Sequence, residues 1–581
     1  MSQQNSETPR TGAEWLAEYL ERSGVEYVFG LCGHTNVAVL AALSRSRVRF
    51  VQVRHEQVAA HAADGYARVS GKPGVVLIHL GPGLTNATTG VANASLDCVP
   101  IVVLAGDVPS YFSGRHAHQE INLHLDAGQF EIYRPFCKWV FHVDRAGQLP
   151  WAVSRAFHLA RAGRPGPVLV SVAMDVWCRP VPAGASAEVG EVAPPALDLD
   201  VAEQVVGALE CAERPLIVAG GGVVASRSSE SLAALAEGLE VPVVYTLMGK
   251  GALSDSHPLC AGMTGFWGTE LANRLLREAD VVLALGTRFS ETDWSSWDPR
   301  HTFMGDRGRL IHIDVEASEF GRNTRTSLGI VADLEQALKT LAAVAAGRKR
   351  PARTGIRERI ARWKADFQQS LRELQASEAL PMRPERILKE LREVLPPDGL
   401  LVTDVGWNKN GVGQQFPVER PGTFLTPGGL ATMGFGPAAA LGAKLAARSR
   451  PVVALVGDGA FGSQLSVVAT AVEEKLSVVW VVMNNRGFGT IAGLEERAFG
   501  TTYGTLFWRD GEPYSPDFAG IARACGAEGY TVREAGDFRG LLERALGNGR
   551  PAVVDVPTEN VPVPTSGYWD ILDIFQGAFR E

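Results

Sequence analysis

Short apolar runs recur along the whole chain of 581 residues, and they strongly limit what it can fold into. Stretches with helical periodicity separate them. Runs of this kind are typical of strands buried on both faces, and helices between them imply right-handed crossovers and parallel sheets. The sequence therefore predicts an α/β fold with strands at Val75–Leu80, Pro100–Ala105, Pro167–Val172, Pro215–Ala219, Val241–Tyr245, Val281–Gly286, Leu310–Ile313, Leu400–Thr403, Val452–Val456, Val478–Met483 and Ala552–Val556.

Two breaks divide these runs into three groups. Residues 180–200 are rich in proline and alanine, and residues 343–384 hold a basic patch followed by a charged amphipathic helix. Both compositions are typical of linkers between domains. We therefore expect three Rossmann-like domains with parallel sheets, at residues 10–182, 196–345 and 380–560, and a C-terminal tail at 561–581.

Charge and composition exclude several classes of protein. The chain has 64 acidic and 56 basic residues, a net charge of −8, which argues against a protein held to nucleic acid by phosphate neutralisation. No run approaches the ~20 apolar residues that span a bilayer, and the polar start lacks the apolar core of a signal peptide. The seven cysteines are scattered singly, which favours neither a disulfide framework nor a zinc site. We expect a cytoplasmic protein that binds neither nucleic acid nor membrane.

Polar residues follow two apolar runs of the last domain. Asp458 comes at the end of one run and Asn485 just after the next, and ligands in open parallel sheets lie at the carboxyl ends of strands. Gly457 and Gly459 allow the backbone to turn tightly and to approach a phosphate. The carboxylate, the amide oxygen and a backbone carbonyl near Gly487 can hold Mg²⁺. The alternative is a plain strand-end turn followed by capping asparagines.

The spacing of these motifs favours the functional interpretation. The 24 residues between Gly459 and Asn484 match the interval of the thiamin diphosphate (ThDP) motif, which this segment resembles. ThDP chemistry needs a carboxylate against the aminopyrimidine ring, whose imino nitrogen removes the C2 proton of the thiazolium. The candidate is Glu56, where a helix rich in small residues follows a strand. The alternative is an acidic residue that is simply favoured in the first turn of a helix.

Over nearly its whole length the chain resembles acetohydroxyacid synthase (acetolactate synthase) large subunits. The resemblance rests on RHEQVAAHAADGYAR at 54–68, PGGLATMGFGPAAALGA at 427–443 and shorter motifs such as GRPGPV at 163–168 and IHIDVEAS at 311–318. It implies pyrimidine-binding, central and diphosphate-binding domains, with active sites between two subunits of a homodimer or homotetramer. The implied reaction is decarboxylation of a 2-keto acid such as pyruvate, and ligation of the activated aldehyde to a second carbonyl.

The resemblance also implies roles for individual residues. Met433 matches the residue that lies beneath ThDP and keeps it bent, and Ala431 should offer its carbonyl to the pyrimidine amino group. Gln119 matches an active-site glutamine that can hydrogen-bond a developing oxyanion. The alternatives are a core methionine and a surface-loop amide. Further contacts to ThDP are expected from Cys32, Pro82, Asn86, Gly406, Asn408, Gly457, Gly459, Ala460, Phe488 and Gly489.

Departures from the synthase pattern lie around the acceptor pocket. Asn408 stands where the family usually has a diphosphate-binding histidine, and FGLCGHTNVA at 29–38 resembles trihydroxycyclohexanedione hydrolases instead. The tail GYWDILDIF at 567–575 is similar to the same enzymes. This second resemblance implies hydrolytic cleavage of a cyclic 1,2-dione as the alternative reaction. His34 becomes a candidate acid/base or substrate-binding group, while His116 and His118 are weaker candidates in a loop.

A flavin is the second cofactor that the synthase resemblance implies. In those enzymes the central domain binds FAD, which undergoes no net redox change. The chain has Ser290, Glu291 and Thr292 where the family motif RFDDR continues, so an aspartate and an arginine are lost. The alternative is that the glycines only close turns of the fold. The residues that match the flavin site are Arg164, Gly221, Thr246, Arg288 and Asp314.

Overall fold

Three six-stranded parallel sheets confirm the predicted α/β fold. The computed structural model describes residues 10–122, 128–182, 190, 192–298, 308–348, 353, 355–567 and 570–572. The chain divides into two compact units. The first unit comprises residues 1–192, 429–448 and 464–476, and the second comprises 193–428, 449–463 and 477–581. Within the described ranges, no helix is long and apolar enough to cross a membrane.

The first sheet has the strand order β2-β1-β3-β4-β6-β5. Its strands are β1 (Tyr27–Gly30), β2 (Arg49–Gln52), β3 (Gly74–Ile78), β4 (Ile101–Asp107), β5 (Trp139–Val143) and β6 (Val168–Ala173). The helices are α1 (Gly12–Arg22), α2 (Val37–Leu43), α3 (Glu56–Ser70), α4 (Gly81–Leu96) and α5 (Leu149–Arg161). Strands β3, β4 and β6 are buried along their whole length, as their continuous apolar runs predict.

The second sheet has the order β12-β11-β10-β7-β8-β9. Its strands are β7 (Pro215–Ala219), β8 (Val243–Tyr245), β9 (Cys260–Met263), β10 (Val281–Leu285), β11 (Arg309–Asp314) and β12 (Leu328–Val331). The helices are α6 (Leu199–Cys211), α7 (Gly221–Ala225), α8 (Ser229–Leu239), α9 (Glu270–Glu278) and α10 (Leu334–Ala346). The charged amphipathic helix predicted after it is α11 (Ile356–Gln375).

The third sheet has the order β14-β13-β15-β16-β20-β19. Its strands are β13 (Leu400–Thr403), β14 (Phe424–Leu425), β15 (Val452–Gly457), β16 (Val478–Asn484), β19 (Glu528–Thr531) and β20 (Ala552–Pro557); β17 (Trp508–Arg509) and β18 (Glu512–Pro513) form a separate antiparallel pair. The helices are α12 (Pro384–Val394), α13 (Trp407–Gln415), α14 (Phe435–Ala446), α15 (Asp458–Gly462), α16 (Ser466–Glu473), α17 (Gly489–Phe499), α18 (Phe518–Ala524) and α19 (Asp537–Gly547).

The apolar runs predict the bounds of the central strands to within two residues, but they do not predict most of the edge strands. Strands β5, β9, β12, β14 and β19 all lie at an edge. An edge strand is covered on fewer sides, so it needs no continuous apolar run, and β12 and β19 are accordingly only partly buried. The short inner strand β1 was also missed.

Helices α3 and α14 pack closely in the first unit. A Cβ atom at Gly65 of α3 would collide with the carbonyl of Ala439, and one at Gly442 of α14 would collide with that of Ala62. Small residues on both helices therefore allow backbone-to-backbone contact. The consequence for function is that the loop 429–434, which leads into α14, belongs to the same unit as Glu56.

Candidate functional site

Asp458 is a buried carboxylate at the carboxyl end of β15. Its side chain is only 2% exposed, and it accepts hydrogen bonds from the backbone N–H groups of Gly459 (2.8 Å) and Gly487 (3.2 Å). Burial raises the pKa of Asp458 to about 6, although those backbone donors act in the opposite direction. Because β15 pairs with β16, the two polar strand ends of the sequence lie next to each other.

Asn485 completes a set of oxygen atoms that face one another. Its Oδ1 lies 3.3 Å from Asp458 Oδ1 and 2.9 Å from the carbonyl oxygen of Gly487, and all three atoms are acceptors. Turning the amide over would let its nitrogen donate to both oxygens, whereas the orientation seen suits a cation held by all three. Its Nδ2 meanwhile donates to Asn560 Oδ1 at 3.3 Å. Carboxylate, amide and carbonyl oxygens are hard ligands, and the set therefore fits Mg²⁺.

This oxygen set is unlike a zinc-type centre. Over the described ranges, no group of three His, Cys, Asp or Glu side chains is placed to hold a metal ion. A site with one carboxylate and two neutral oxygens leaves coordination positions open for phosphate oxygens and water.

Asn408 and Gly406 lie beside the strand end that carries Asp458. Asn408 on α13 is buried, its Nδ2 donates to the carbonyl of Val405, and its Oδ1 has no hydrogen-bond partner among the described residues. A Cβ at Gly457 would lie 3.6 Å from Asn408 Nδ2, which puts this side chain beside the strand end. Gly406, the residue before α13, has φ +101°, a conformation that favours glycine. The Oδ1 atom of Asn408 can accept from a water, and the second hydrogen on its Nδ2 is the one that could be donated to a phosphate oxygen.

The other predicted contacts also cluster at these strand ends. A Cβ at Gly459 would lie 2.6 Å from the ring of Phe488, so this glycine is needed for a close ring contact. Gly489 begins α17, and a Cβ there would collide with Asn485 and Asn560. Ala460 is buried in the first turn of α15. Asn560 was missed by the sequence analysis because it lies in an irregular segment after β20.

Glu56 begins α3 in the first unit, as predicted. It is 3% exposed, and its Oε2 accepts a hydrogen bond from Asn86 Nδ2 at 3.0 Å. Its Oε1 lies 3.5 Å from the position that a Cβ would take at Gly83, in the first turn of α4 beside Pro82. Glu56 is thus a buried carboxylate with one amide donor, and its second oxygen faces a glycine. This arrangement can accept a hydrogen bond from a ring N–H of a bound group.

The loop before α14 is hydrogen-bonded to Asp97, which follows α4 and pairs with Arg68 of α3. The backbone N–H of Gly429 donates to Asp97 Oδ1 at 2.6 Å, and Asp97 Oδ2 also accepts from Arg68 of α3 at 2.8 Å. Ala431 has a left-handed backbone with φ +52°. Met433 is 42% exposed, so it is not packed as a core methionine. The buried Arg68–Asp97 ion pair therefore fixes the base of the loop that carries Ala431 and Met433.

A histidine cluster lies on the loops after β1, β3 and β4. The exposed His34 ring lies 4.6 Å from the ring of His79 and 5.9 Å from that of His118. Partial burial and these two neighbouring imidazoles lower the pKa of His34. His79 Nε2 lies 2.9 Å from Gln119 Oε1, whereas His116 is exposed with φ +52°. The structure therefore brings His34, His118 and Gln119 together.

The sequence analysis missed His79. It directly follows β3, but a single histidine before a Gly-Pro-Gly turn carries no signal of its own. Cys32 is exposed on the same loop as His34. Residues 123–127 and most of the tail at 567–575 lie outside the described residues.

Four of the residues matched to a flavin site lie at the carboxyl ends of neighbouring strands. Gly221, Thr246, Arg288 and Asp314 follow or end β7, β8, β10 and β11, which are neighbours in the second sheet. Thr246 accepts from Gly249 N–H at 3.2 Å and Asp314 from Glu316 N–H at 2.9 Å, so both side chains also close turns. The fifth, Arg164, lies in the first unit, where its Nε donates to Cys98 Sγ at 3.0 Å.

Comparison with known proteins identifies three matched domains. Residues 10–127 match the thiamine pyrophosphate enzyme N-terminal TPP binding domain, 202–341 match its central domain, and 404–556 match its C-terminal TPP binding domain.

Three relatives that match most of the chain are acetolactate synthase subunits. A probable acetolactate synthase large subunit of Methanocaldococcus jannaschii is 34% identical, over 96% of this chain and 94% of its own. The acetolactate synthase large subunit of Corynebacterium glutamicum is 34% identical, over 94% of this chain and 86% of its own. The isozyme 1 large subunit of Escherichia coli is 31% identical, over 94% and 93%. The hydrolytic alternative gains no support from these relatives.

Proposed function

The chain belongs to the acetolactate synthase large-subunit family of ThDP-dependent enzymes, and from this premise we propose that it decarboxylates a 2-keto acid, with pyruvate as the first candidate. It then joins the activated aldehyde to a second carbonyl compound. The reaction is that of a carboligase, a transferase that begins with a lyase step. The observation that carries the proposal is Glu56, a buried carboxylate at a helix start with a single amide donor.

Bound ThDP supplies the carbon nucleophile that this chemistry needs. We assign to Glu56 the hydrogen bond that holds the pyrimidine ring in its reactive tautomer, with Asn86 fixing the carboxylate. Burial strengthens this interaction because little water competes for the carboxylate. The exposed Met433 and the Ala431 carbonyl are placed on one anchored loop, where they can support the cofactor from below.

The oxygen set of Asp458, Asn485 and the Gly487 carbonyl supports Mg²⁺ as the second cofactor. A divalent ion there neutralises the buried carboxylate and holds phosphate oxygens, which Asn408 and the strand-end glycines can approach closely. The family resemblance supports a homodimer or homotetramer with each active site shared by two subunits.

The acceptor side is assigned to Gln119 and His34. Gln119 has amide hydrogens that can donate to the oxyanion that develops on the acceptor carbonyl. His34, whose pKa is lowered, stays neutral near pH 7 and can orient the acceptor or exchange a proton with it. The replacement His34→Ala should therefore change the ranking of acceptors while C2 deprotonation continues. An unchanged rate and ranking would exclude His34 from the acceptor pocket.

One assay tests the proposed reaction against its alternative. The purified protein is incubated with ThDP, Mg²⁺ and either 2-keto acids or cyclic 1,2-diones, and products are identified by mass spectrometry. The proposal predicts CO₂ release from pyruvate with formation of a ligated hydroxy-keto acid. Ring opening of a dione without decarboxylation of any keto acid would contradict it and favour the hydrolase.

FAD is proposed only as an accessory cofactor of the central domain. FAD binding is supported by four matched residues at the carboxyl ends of neighbouring strands, namely Gly221, Thr246, Arg288 and Asp314. The missing aspartate and arginine of the family motif argue against FAD binding. The absorbance spectrum of the purified protein, taken after addition of FAD and gel filtration, shows whether the protein retains the flavin. A retained flavin spectrum supports the site, and a spectrum without flavin overturns it.

A further inference from the structure

Gln119 lies on a loop with a fixed backbone, and its own side chain is exposed. Its φ of +66° is a left-handed conformation, rare for a residue with a side chain. Its carbonyl packs so closely on Gly81 that a Cβ there would collide with it. Gln129 Oε1 holds the same loop by accepting from the N–H groups of Gly81 (3.0 Å) and Ile121 (3.2 Å). These contacts fix the main chain and leave the direction of the Gln119 amide open.

His79 supplies the missing constraint on that amide. Its Nε2 lies 2.9 Å from Gln119 Oε1, and its Nδ1 lies 2.7 Å from Thr35 Oγ1. An amide oxygen only accepts, so Nε2 donates to it, and Nδ1 shares a second hydrogen bond with the Thr35 hydroxyl. With Oε1 engaged, the N–H₂ end of Gln119 is the end that remains for a ligand.

The fold makes room for this pair of side chains. A Cβ at Gly33 would lie 2.8 Å from His79 Cβ and still closer to the ring, and a Cβ at Gly106 would lie 2.6 Å from Thr35 Cβ. His79 is 7% and Thr35 1% exposed. Two glycines from different segments therefore leave space that the imidazole and the threonine fill, so neither side chain can turn away easily.

The same histidine lies beside the reaction centre. A Cβ at Gly83 would lie 3.3 Å from His79 Cβ and 3.5 Å from Glu56 Oε1, so both residues flank one glycine. The amide that His79 holds thus belongs to the same corner of the first unit as the carboxylate.

We propose that His79 is a positioning residue. It holds Gln119 Oε1, backed by Thr35, so that the Gln119 amide presents N–H donors to the oxyanion of the acceptor. The inference rests on the proposed function, because it assigns His79 to the ligation step. His79 itself touches neither cofactor nor substrate in this assignment, and deprotonation at C2 does not need it.

The test combines His79→Leu, Gln119→Ala and the double variant, with His79→Gln as the matched control that keeps a side-chain N–H. Ligation is measured at saturating donor over a range of acceptor concentrations, beside ThDP affinity and hydrogen–deuterium exchange at C2. His79→Leu should lower acceptor kcat/KM about 10- to 100-fold, less than or similar to removal of an oxyanion donor itself. C2 exchange and ThDP affinity should stay as in the wild type, and His79→Gln should recover part of the loss.

The double variant distinguishes positioning from an independent role. If His79 acts through Gln119, the double variant should be no slower than Gln119→Ala alone. Losses that multiply in the double variant, or slower C2 exchange in His79→Leu, would overturn the proposal. Thr35→Val, with Thr35→Ser as its control, should give a smaller loss of the same kind, and it keeps the inference testable if His79→Leu does not fold.

A readout without turnover separates this inference from the proposed reaction. In protein labelled with ¹⁵N-glutamine, the side-chain resonance that Gln119→Ala removes should shift in His79→Leu and return toward its wild-type position in His79→Gln. A resonance that does not move overturns the positioning role whatever the enzyme catalyses. If the wild type ligates no keto acid while the resonance moves as expected, it is the proposed function that fails.

Discussion

Two buried carboxylates, Glu56 in the first unit and Asp458 in the second, are held in different ways. Each begins a helix after a parallel strand, and each is almost inaccessible to solvent. Glu56 receives a hydrogen bond from the amide nitrogen of Asn86, whereas Asp458 accepts from the backbone N–H groups of Gly459 and Gly487 and has the Asn485 Oδ1 atom 3.3 Å from its own Oδ1. The first carboxylate is satisfied by protein and can bond an organic ring. The second accepts two backbone N–H hydrogen bonds and also belongs to a cluster of acceptor oxygens that fits a cation.

The largest effect is expected from Asp458→Ala. Removing the only charged oxygen of the set should lower ThDP affinity in the presence of Mg²⁺ by about 100-fold or more, since even outer-shell changes at metal sites cost about 10- to 100-fold. Calorimetric titration of ThDP with and without Mg²⁺ measures this. Asp555→Asn is a matched control. Burial also raises the pKa of Asp555 to about 6, but this carboxylate accepts a hydrogen bond from Asn484 and is not part of the oxygen set. Unchanged metal-dependent binding in Asp458→Ala would place the ion elsewhere.

The helix that carries Glu56 should be sensitive to acid. His61 on α3 is fully buried, and burial, helped by the nearby Arg68, lowers its pKa to about 3. In the unfolded chain His61 binds a proton below about pH 6.5, whereas in the folded chain it stays neutral until about pH 3. The contribution of neutral His61 to the free energy of unfolding is therefore complete above about pH 6.5 and is lost as pH falls toward 3. Between pH 7 and 4.5 the loss is about 2–3 kcal/mol.

Chemical unfolding followed across that pH range checks this contribution. His61→Gln should show a shallower dependence of the unfolding free energy on pH than the wild type, and His116→Gln on an exposed loop is the control. An identical pH dependence in wild type and His61→Gln would mean that His61 does not titrate differently on folding.

Asn86→Leu tests the donor to Glu56. Without the amide the carboxylate loses its fixed orientation, and C2 exchange should slow about tenfold, in line with a hydrogen bond to a charged group of about 1.5 kcal/mol. Exchange is measured by proton NMR in D₂O at saturating ThDP, with the nearby Thr85→Ala as control. A variant that exchanges as fast as the wild type would show that Glu56 needs no partner.

Asn560→Ala should have the smallest effect. Asn560 accepts from Asn485 Nδ2 and so helps to point the amide oxygen at the proposed Mg²⁺ position. Because Asn560 is itself exposed, its loss should weaken Mg²⁺ affinity by about threefold to tenfold, the lower end of outer-shell effects. Titration of the ThDP-saturated protein with Mg²⁺ measures it. A loss as large as that in Asp458→Ala would make Asn560 a ligand instead.

The same contrast explains what could be predicted from the sequence. Asp458 and Asn485 follow consecutive apolar strands, and adjacent parallel strands bring such ends together whatever the rest of the fold does. Glu56 needed the family resemblance, because a helix-starting glutamate is ordinary on its own. The contact of His79 with Thr35 and Gln119 joins three loops that are 40 or more residues apart, so no local pattern contains it. Edge strands such as β12 and β19 lack a continuous apolar run, and no periodicity marks them.

We propose that Glu56 activates the cofactor whereas Asp458 binds it. Hydrogen–deuterium exchange at C2 of ThDP bound to Glu56→Gln separates the two roles, since glutamine keeps the shape but not the charge. ThDP should bind with its wild-type affinity, and exchange should slow by about 100-fold or more. Exchange at the wild-type rate in Glu56→Gln, at equal ThDP occupancy, would contradict it.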